Sequence, residues 1–186
     1  MDIFLVTLLI HFIGFILGVG GASVSDVLFL KVLAQRKITS SQFTFLKEVS
    51  KVVWLGLIIT YISGALLVYL QYLADGYSFY LSQNYFLMKI FLVLLITING
   101  IAFHKKILPF LNSITDKSMS SKAVKKKTLS LAITGTLSIV SWYYIVFLAV
   151  INPAWNFSTI FIPYLLILTI GAFTAKILIE HDLFTK

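Results

Sequence analysis

The chain has 186 residues, of which 59% are hydrophobic and 12% are charged, and its formal net charge is +8. Soluble domains are about 45–50% apolar and about 25% charged, so the composition excludes an ordinary soluble globular protein. The chain has no cysteine, which excludes disulfides, thiolate metal sites and cysteine nucleophiles. Its basic residues flank apolar runs, so the positive charge predicts contact with anionic lipid and no nucleic-acid partner.

Five apolar stretches are each long enough to cross a bilayer, which takes roughly 20 residues. They run from Ile3 to Leu33, Phe43 to Leu73, Tyr85 to Leu111, Thr128 to Ile151 and Phe157 to Ile179. No internal repeat or low-complexity segment divides the chain. The sequence therefore predicts an all-α protein, with residues 1–186 forming a single integral membrane domain of five transmembrane helices.

The connections between the stretches alternate in charge. The first and third connections are rich in lysine and arginine, whereas residues 74–84 and 152–156 contain neither. Cytoplasmic loops carry the excess of Lys and Arg, so this alternation predicts an outside N-terminus and a cytoplasmic C-terminus. The predicted location is the bacterial inner (cytoplasmic) membrane, with the lipid bilayer as the principal partner.

The first stretch carries a histidine and several glycines on one helical face, at 100° per residue. They are His11, Gly14, Gly18 and Gly21. Glycines on one face admit either a neighbouring helix or a flat cofactor, and both alternatives stay open. An imidazole inside a bundle needs a partner, so we expect His11 to be a ligand or a proton-handling group, with a histidine bonded to a neighbouring backbone as the alternative.

Three further ionisable residues fall within or near the apolar stretches. Lys89 lies at a depth similar to that of His11, so their heads are expected at one level; the alternative is a lysine that snorkels to the headgroups. His104 adjoins two lysines and is interpreted as a solvated interfacial histidine, with a functional role as the alternative. Asp26 is expected to pair with a basic residue such as Lys51 and so to fix helix packing, or to handle protons.

Several sequence elements resemble a known group of membrane proteins. They are His11, the segment Ser63-Gly64-x-Leu66-Leu67, the segment Tyr85–Leu92 with Lys89 in it, and Asn99-Gly100-x-x-Phe103-His104. Together they resemble the small haem-associated proteins around the HemJ-type protoporphyrinogen oxidases and the CopD-like families, over about the first 110 residues. The chain lacks the N-E-x-P segment that precedes the last span of the HemJ type, so the resemblance implies a related haem-binding branch rather than that oxidase.

The resemblance implies a b-type haem whose iron is bound by His11 and Lys89, with Gly14 and Gly18 against the cofactor and with His104 and Asp26 as secondary candidates. Its function would be redox: electron transfer, or oxidation of a lipid-soluble or tetrapyrrole substrate, with a redox protein or quinone-like molecule as partner. A homo-oligomer is compatible with this reading. Two other classes stay open, namely a small proton- or ion-coupled carrier or channel and a structural membrane subunit. The chain has no Walker loop, Rossmann glycine motif, HExxH or serine elbow.

Overall fold

A computed structural model describes residues 2–35, 37–75, 82–117, 121–151 and 154–184. The helices are α1 (Ile3–Gln35), α2 (Ser40–Asp75), α3 (Asn84–Ala102), α4 (Leu108–Ser113), α5 (Ser121–Ile151) and α6 (Phe157–Phe184). A π-helical turn, Phe103–Ile107, joins α3 to α4, so that Asn84–Ser113 is one continuous span. Within the described residues, five segments are long and apolar enough to cross a membrane. The prediction of an all-α, five-helix membrane protein is confirmed.

The helices extend beyond the apolar stretches that predicted them. Helix α5 begins at Ser121 rather than at Thr128, and α2 spans Ser40–Asp75 rather than Phe43 to Leu73. Hydrocarbon cannot bond free backbone groups, so each apolar stretch becomes a helix, and the polar flanks continue it. Hydropathy therefore locates the spans but not the ends of the helices.

The five spans alternate in direction, and their ends gather at two faces of the bundle. At one face the Asn84 Nδ2 donates a hydrogen bond to the Trp155 carbonyl at 3.2 Å. At the other face the Asp116 N–H donates to the Ile38 carbonyl at 2.8 Å. We call the face with Asn84 and Trp155 the uncharged end and the face with Ile38 and Asp116 the basic end.

Helices α1 and α2 pack backbone against backbone through glycines. A Cβ added at Gly56 would lie 2.5 Å from the Gly18 nitrogen and 2.6 Å from the Gly14 oxygen. A Cβ at Gly14 would lie 2.7 Å from the Ile59 side chain, and one at Gly18 would collide with the Trp142 ring. The glycine stripe of α1 is thus a helix-packing seam, with small residues permitting the close approach.

Two apolar clusters form the interior. The uncharged-end core is built around Met88, Leu92, Leu148, Ile160 and Tyr164, all fully or almost fully buried. The basic-end core is built from Phe29, Val32, Ile38, Leu46, Ile107, Leu111 and Leu131. The middle of the bundle lies between these two clusters.

The third span changes its winding where it meets the basic-end core. Pro109 stands in the first turn of α4. A proline has no N–H to bond to the carbonyl four residues earlier, and its ring clashes with that carbonyl. The turn Phe103–Ile107 adopts the wider π form instead. Such turns often mark functional positions, and this one carries His104.

Candidate functional site: a polar cavity between two apolar cores

A cavity of about 80 Å³, open to water-sized molecules, lies between α1, α2, the third span and α5. At roughly 10–15 Å³ for each water, it has room for about five to eight waters. Leu57, Ile96 and Trp142 line it from the uncharged-end core, whereas Phe29 and Ile107 line it from the basic-end core. The cavity therefore occupies the gap that the two cores leave in the bundle.

Asp26 places a carboxyl group in this cavity. Its Oδ2 accepts a hydrogen bond from the Ser138 hydroxyl of α5 at 3.1 Å. The expected pairing with Lys51 is wrong, because the Lys51 ammonium bonds to Glu48 on its own helix at 2.8 Å. An i, i+3 pair on one exposed helix face satisfies Lys51 locally, without reaching across to α1. Among the described residues, Asp26 has no cationic partner.

His104 supplies the second ionisable group of the cavity. Its Nε2 is buried and has no hydrogen-bond partner among the described residues. The imidazole is held between aromatic rings, 6.1 Å from Trp54 and 6.0 Å from Phe103 between centroids. The buried Nε2 contradicts the interpretation of His104 as a fully solvated residue, while the side chain as a whole stays partly exposed beside its two exposed lysine neighbours.

Asn99 and Gly100 complete the wall on the third span. The Asn99 Nδ2 donates to the Thr134 carbonyl of α5 at 3.0 Å, which leaves its Oδ1 as an acceptor. A Cβ at Gly100 would lie 3.3 Å from the Trp54 ring, so glycine lets that indole lie close against the helix. This wall combines a polar acceptor with a large aromatic face.

Asp26 and His104 are the titratable side chains that line the cavity. Ser25 stands beside Asp26 on α1, and α2 and α5 contribute hydroxyls and indoles, none of which titrates near neutral pH. These residues are Ser50, Trp54, Thr134, Ser138 and Trp142. Chemically, the arrangement can bind and release protons, hold a few waters, or place a positive charge beside one carboxylate. In the described part of the chain, no cluster of three or more His, Asp or Glu side chains could hold a metal ion.

His11 lies outside this cavity, toward the uncharged end, and bonds to α2. The Ser63 hydroxyl donates to the Ile59 carbonyl at 2.5 Å, and the His11 Nδ1 lies 3.0 Å from the Ser63 oxygen. Because the hydroxyl proton is used on Ile59, Nδ1 carries the hydrogen and donates to Ser63. The lone pair then resides on Nε2, which is the tautomer a metal-binding histidine requires.

Lys89 approaches His11 without bonding to it. Its ammonium lies 5.0 Å from the centre of the Tyr85 ring, a cation–π contact within the third span. It is close enough to act electrostatically on the His11 imidazole. Tyr85, one helical turn before Lys89, is therefore the described partner of the ammonium, and the two predicted haem ligands are not bonded to each other.

The fit of the surroundings of His11 to a haem is partial. The free Nε2 of His11 suits an axial ligand, and Gly64 lies directly beneath the ring, where a Cβ would meet the imidazole at 3.2 Å. The face of Gly14 and Gly18, which was expected to receive the macrocycle, is instead filled by Ile59 and Trp142. A haem bound here would have to lie on another side of the histidine.

Sequence reasoning named Asp26 and His104 separately but did not bring them together. The signal available for His104 was Pro109, since a proline five residues later disturbs the helix around it. The signal for Asp26 was the hydroxyl stripe of α5, which includes Ser138. The roles of Trp54 and Trp142 in the wall depend on helix rotation and had no signal beyond their size.

Comparison of the chain with protein-family models, with curated proteins and with solved structures finds no match. The resemblance to haem-associated membrane proteins therefore stays a prediction. The proposed function therefore rests on the fold and the cavity of this chain and not on a similar protein.

Proposed function

We propose that this multi-pass membrane protein is a small proton-coupled carrier in which Asp26 and His104 exchange protons inside the cavity. One observation carries the proposal: a carboxyl group and an imidazole nitrogen line the same cavity, and within the described residues the first has no cationic partner and the second no hydrogen-bond partner. Ionisable groups are costly in the hydrocarbon region of a membrane and usually mark a path for protons, ions or substrates.

The surroundings of the cavity suit alternating access. Apolar side chains line it on both sides, with Leu57 and Ile96 toward the uncharged end and Phe29 and Ile107 toward the basic end. Separating one of these apolar sets at a time would expose Asp26 to one side of the membrane only. The π turn beside Ile107 is a natural place for such a rearrangement, because its backbone hydrogen bonds already depart from the α pattern.

The test is charge movement after a sudden pH step on proteoliposomes. Protons that enter the cavity and bind Asp26 should produce a transient current whose sign follows the direction of the step. Asp26→Asn should reduce it strongly, leaving at most the contribution of His104, while Asp75→Asn, at the end of α2, should leave it unchanged. An equal current from Asp26→Asn and from the parent protein would overturn the proposal.

We further propose that the basic end faces the cytoplasm of a bacterial inner membrane. The support is the gathering of the lysine-rich connections at one face of the bundle, which the positive-inside rule places in the cytoplasm. A cytoplasmic reporter fused after position 118 should be active, and one fused after position 76 should be inactive. The reverse pattern would invert the orientation.

A b-type haem protein with a redox role is the second candidate function. The observation that favours it is the His11–Ser63–Ile59 hydrogen-bond chain, which leaves Nε2 free to bind iron. A haem would supply one-electron chemistry there, and this chain would supply the imidazole, with Lys89 as a candidate second ligand once neutral. An absorption spectrum of the purified protein, oxidised and then reduced with dithionite, tests this candidate by the presence or absence of a Soret band.

A further inference from the structure

The Asp26 carboxyl group has one hydrogen-bond donor and no cation among the described residues, although it is part-buried. Ser138 is that donor, and the residues lining the cavity include no lysine or arginine. A part-buried carboxylate without a positive partner is disfavoured, so the group is stabilised by a proton, by waters in the cavity or by a cation that comes from outside. A cationic ligand in the cavity would therefore supply the positive charge that the Asp26 carboxylate lacks.

The walls suit an organic cation better than a metal ion. Metal ions of the alkaline-earth type require six or more oxygen ligands, and this cavity has one carboxylate and no cluster of acidic or imidazole groups in the described part of the chain. Trp54 and Trp142 instead both line the cavity, and indole is the side chain that binds ammonium groups most strongly. A cavity lined by two indoles and one carboxylate has the chemistry that recognises alkylammonium ions.

The remaining polar atoms match the hydrogens of an ammonium group. The Asn99 Oδ1 is an acceptor because its amide nitrogen is already bonded to the Thr134 carbonyl. The His104 Nε2 is a buried atom with no partner among the described residues, and in the Nδ1–H tautomer it accepts a hydrogen bond. At about 80 Å³, the cavity has room for a small amine.

Resting on the proposed carrier function, we propose that the cavity binds small alkylammonium cations, with Asp26 as counter-ion and Trp54 and Trp142 as its aromatic walls. Binding is an exchange: the O–H bond of the Asp26 carboxylic acid breaks, its proton leaves to water, and the ammonium ion takes its place beside the carboxylate. One monovalent cation therefore replaces one proton, and the charge of the occupied site does not change.

The experiment is titration calorimetry of the full chain in detergent with methylammonium, repeated in two buffers of different ionisation enthalpy. Saturable binding with release of up to one proton for each cation is expected. Methanol, a neutral molecule of the same size, should not bind. Asp26→Asn should abolish binding, while Asp26→Glu, which keeps the carboxylate, should retain it and so exclude misfolding as the cause.

The aromatic wall is tested by a matched pair of tryptophan variants. Trp54→Leu should weaken methylammonium binding by roughly 2- to 30-fold, the range for loss of one cation–π contact. Trp155→Leu, at the uncharged end and away from the cavity, should not change it. Absence of saturable binding to the folded parent protein, or equal binding by Asp26→Asn, overturns the inference. A pH-step current without methylammonium binding would refute this ligand class and leave proton handling standing, whereas binding without current would refute the carrier.

Discussion

The Ser138 hydroxyl of α5 donates a hydrogen bond to the Asp26 carboxyl group of α1 across 3.1 Å, and it is the one described contact that holds this acid in the cavity. Removing the hydroxyl leaves a buried acceptor without a donor. Ser138→Ala should therefore lower the free energy of unfolding by about 0.6–1.7 kcal/mol, the range for interhelical hydrogen bonds in membrane proteins. Thermal unfolding in detergent measures this. Ser130→Ala, on the same helix but outside the cavity lining, is the control. An equal loss of stability in both variants would show that the hydrogen bond between Ser138 and Asp26 does not stabilise the protein.

The close approach of α1 and α2 gives a second prediction. Gly56→Ala places a methyl group 2.5 Å from the Gly18 nitrogen, which the two backbones can accommodate only by moving apart. Overpacking of this kind costs about 1–3 kcal/mol, measured as a lower melting temperature or easier unfolding in denaturing detergent. Gly20→Ala meets no atom within 4 Å and serves as the matched control. Should the two variants be equally stable, the glycine seam would not be the packing surface.

Asp116 stabilises the basic end in a manner that depends on pH. Its carboxylate accepts hydrogen bonds from the Ser40 hydroxyl and from the Ser40 N–H at the start of α2, and the hydroxyl bond holds the pKa of Asp116 below its ordinary value. A lowered folded-state pKa means that this stabilisation is present above the unfolded pKa and is lost as the pH falls through the folded one. The effect is confined to the acidic range.

The measurement compares the melting temperature of the parent protein with that of Asp116→Asn as a function of pH. Asparagine tolerates the positive φ of 58° at this position, so the substitution changes charge without straining the backbone. The parent should be the more stable protein at neutral pH, and the difference should shrink as the pH falls. A difference that is constant with pH would contradict the assignment.

The haem candidate makes a prediction about His11 and Ser63 together. If iron binds Nε2, His11→Ala should remove most of the bound haem, because it deletes the stronger ligand. Ser63→Ala should shift the midpoint potential with haem retained, since the imidazole loses the hydrogen bond at 3.0 Å that orients it. Potentiometric titration of both variants checks this, with Ser82→Ala as a control outside the site. A colourless parent protein after growth with added haem precursor would eliminate the candidate.

Periodicity and charge were sufficient to predict the five helices, because a bilayer leaves an apolar stretch no other regular structure and sorts its flanks by charge. They were also sufficient to place His11 on the glycine face of α1. They were insufficient for the cavity, since whether Asp26 meets Lys51 or Ser138 depends on the rotation of α1 against α5, which side-chain packing decides. The burial of the His104 Nε2 was also beyond the sequence, because the π turn that carries this residue is a local change of winding that does not appear in a hydropathy pattern.

The central claim is that Asp26 takes up and releases a proton inside the bundle, and infrared titration of the carboxyl C=O band tests it most directly. In membranes equilibrated at a series of pH values, the parent protein should show a protonated-carboxyl band that disappears reversibly as the pH rises. The other six of the seven Asp and Glu side chains absorb in the same spectral region, so the Asp26 component is the difference between the parent and Asp26→Asn, and it should remain in Asp75→Asn. Identical spectra of the parent and Asp26→Asn at every pH, or a difference that does not respond to the bulk pH, would contradict the account.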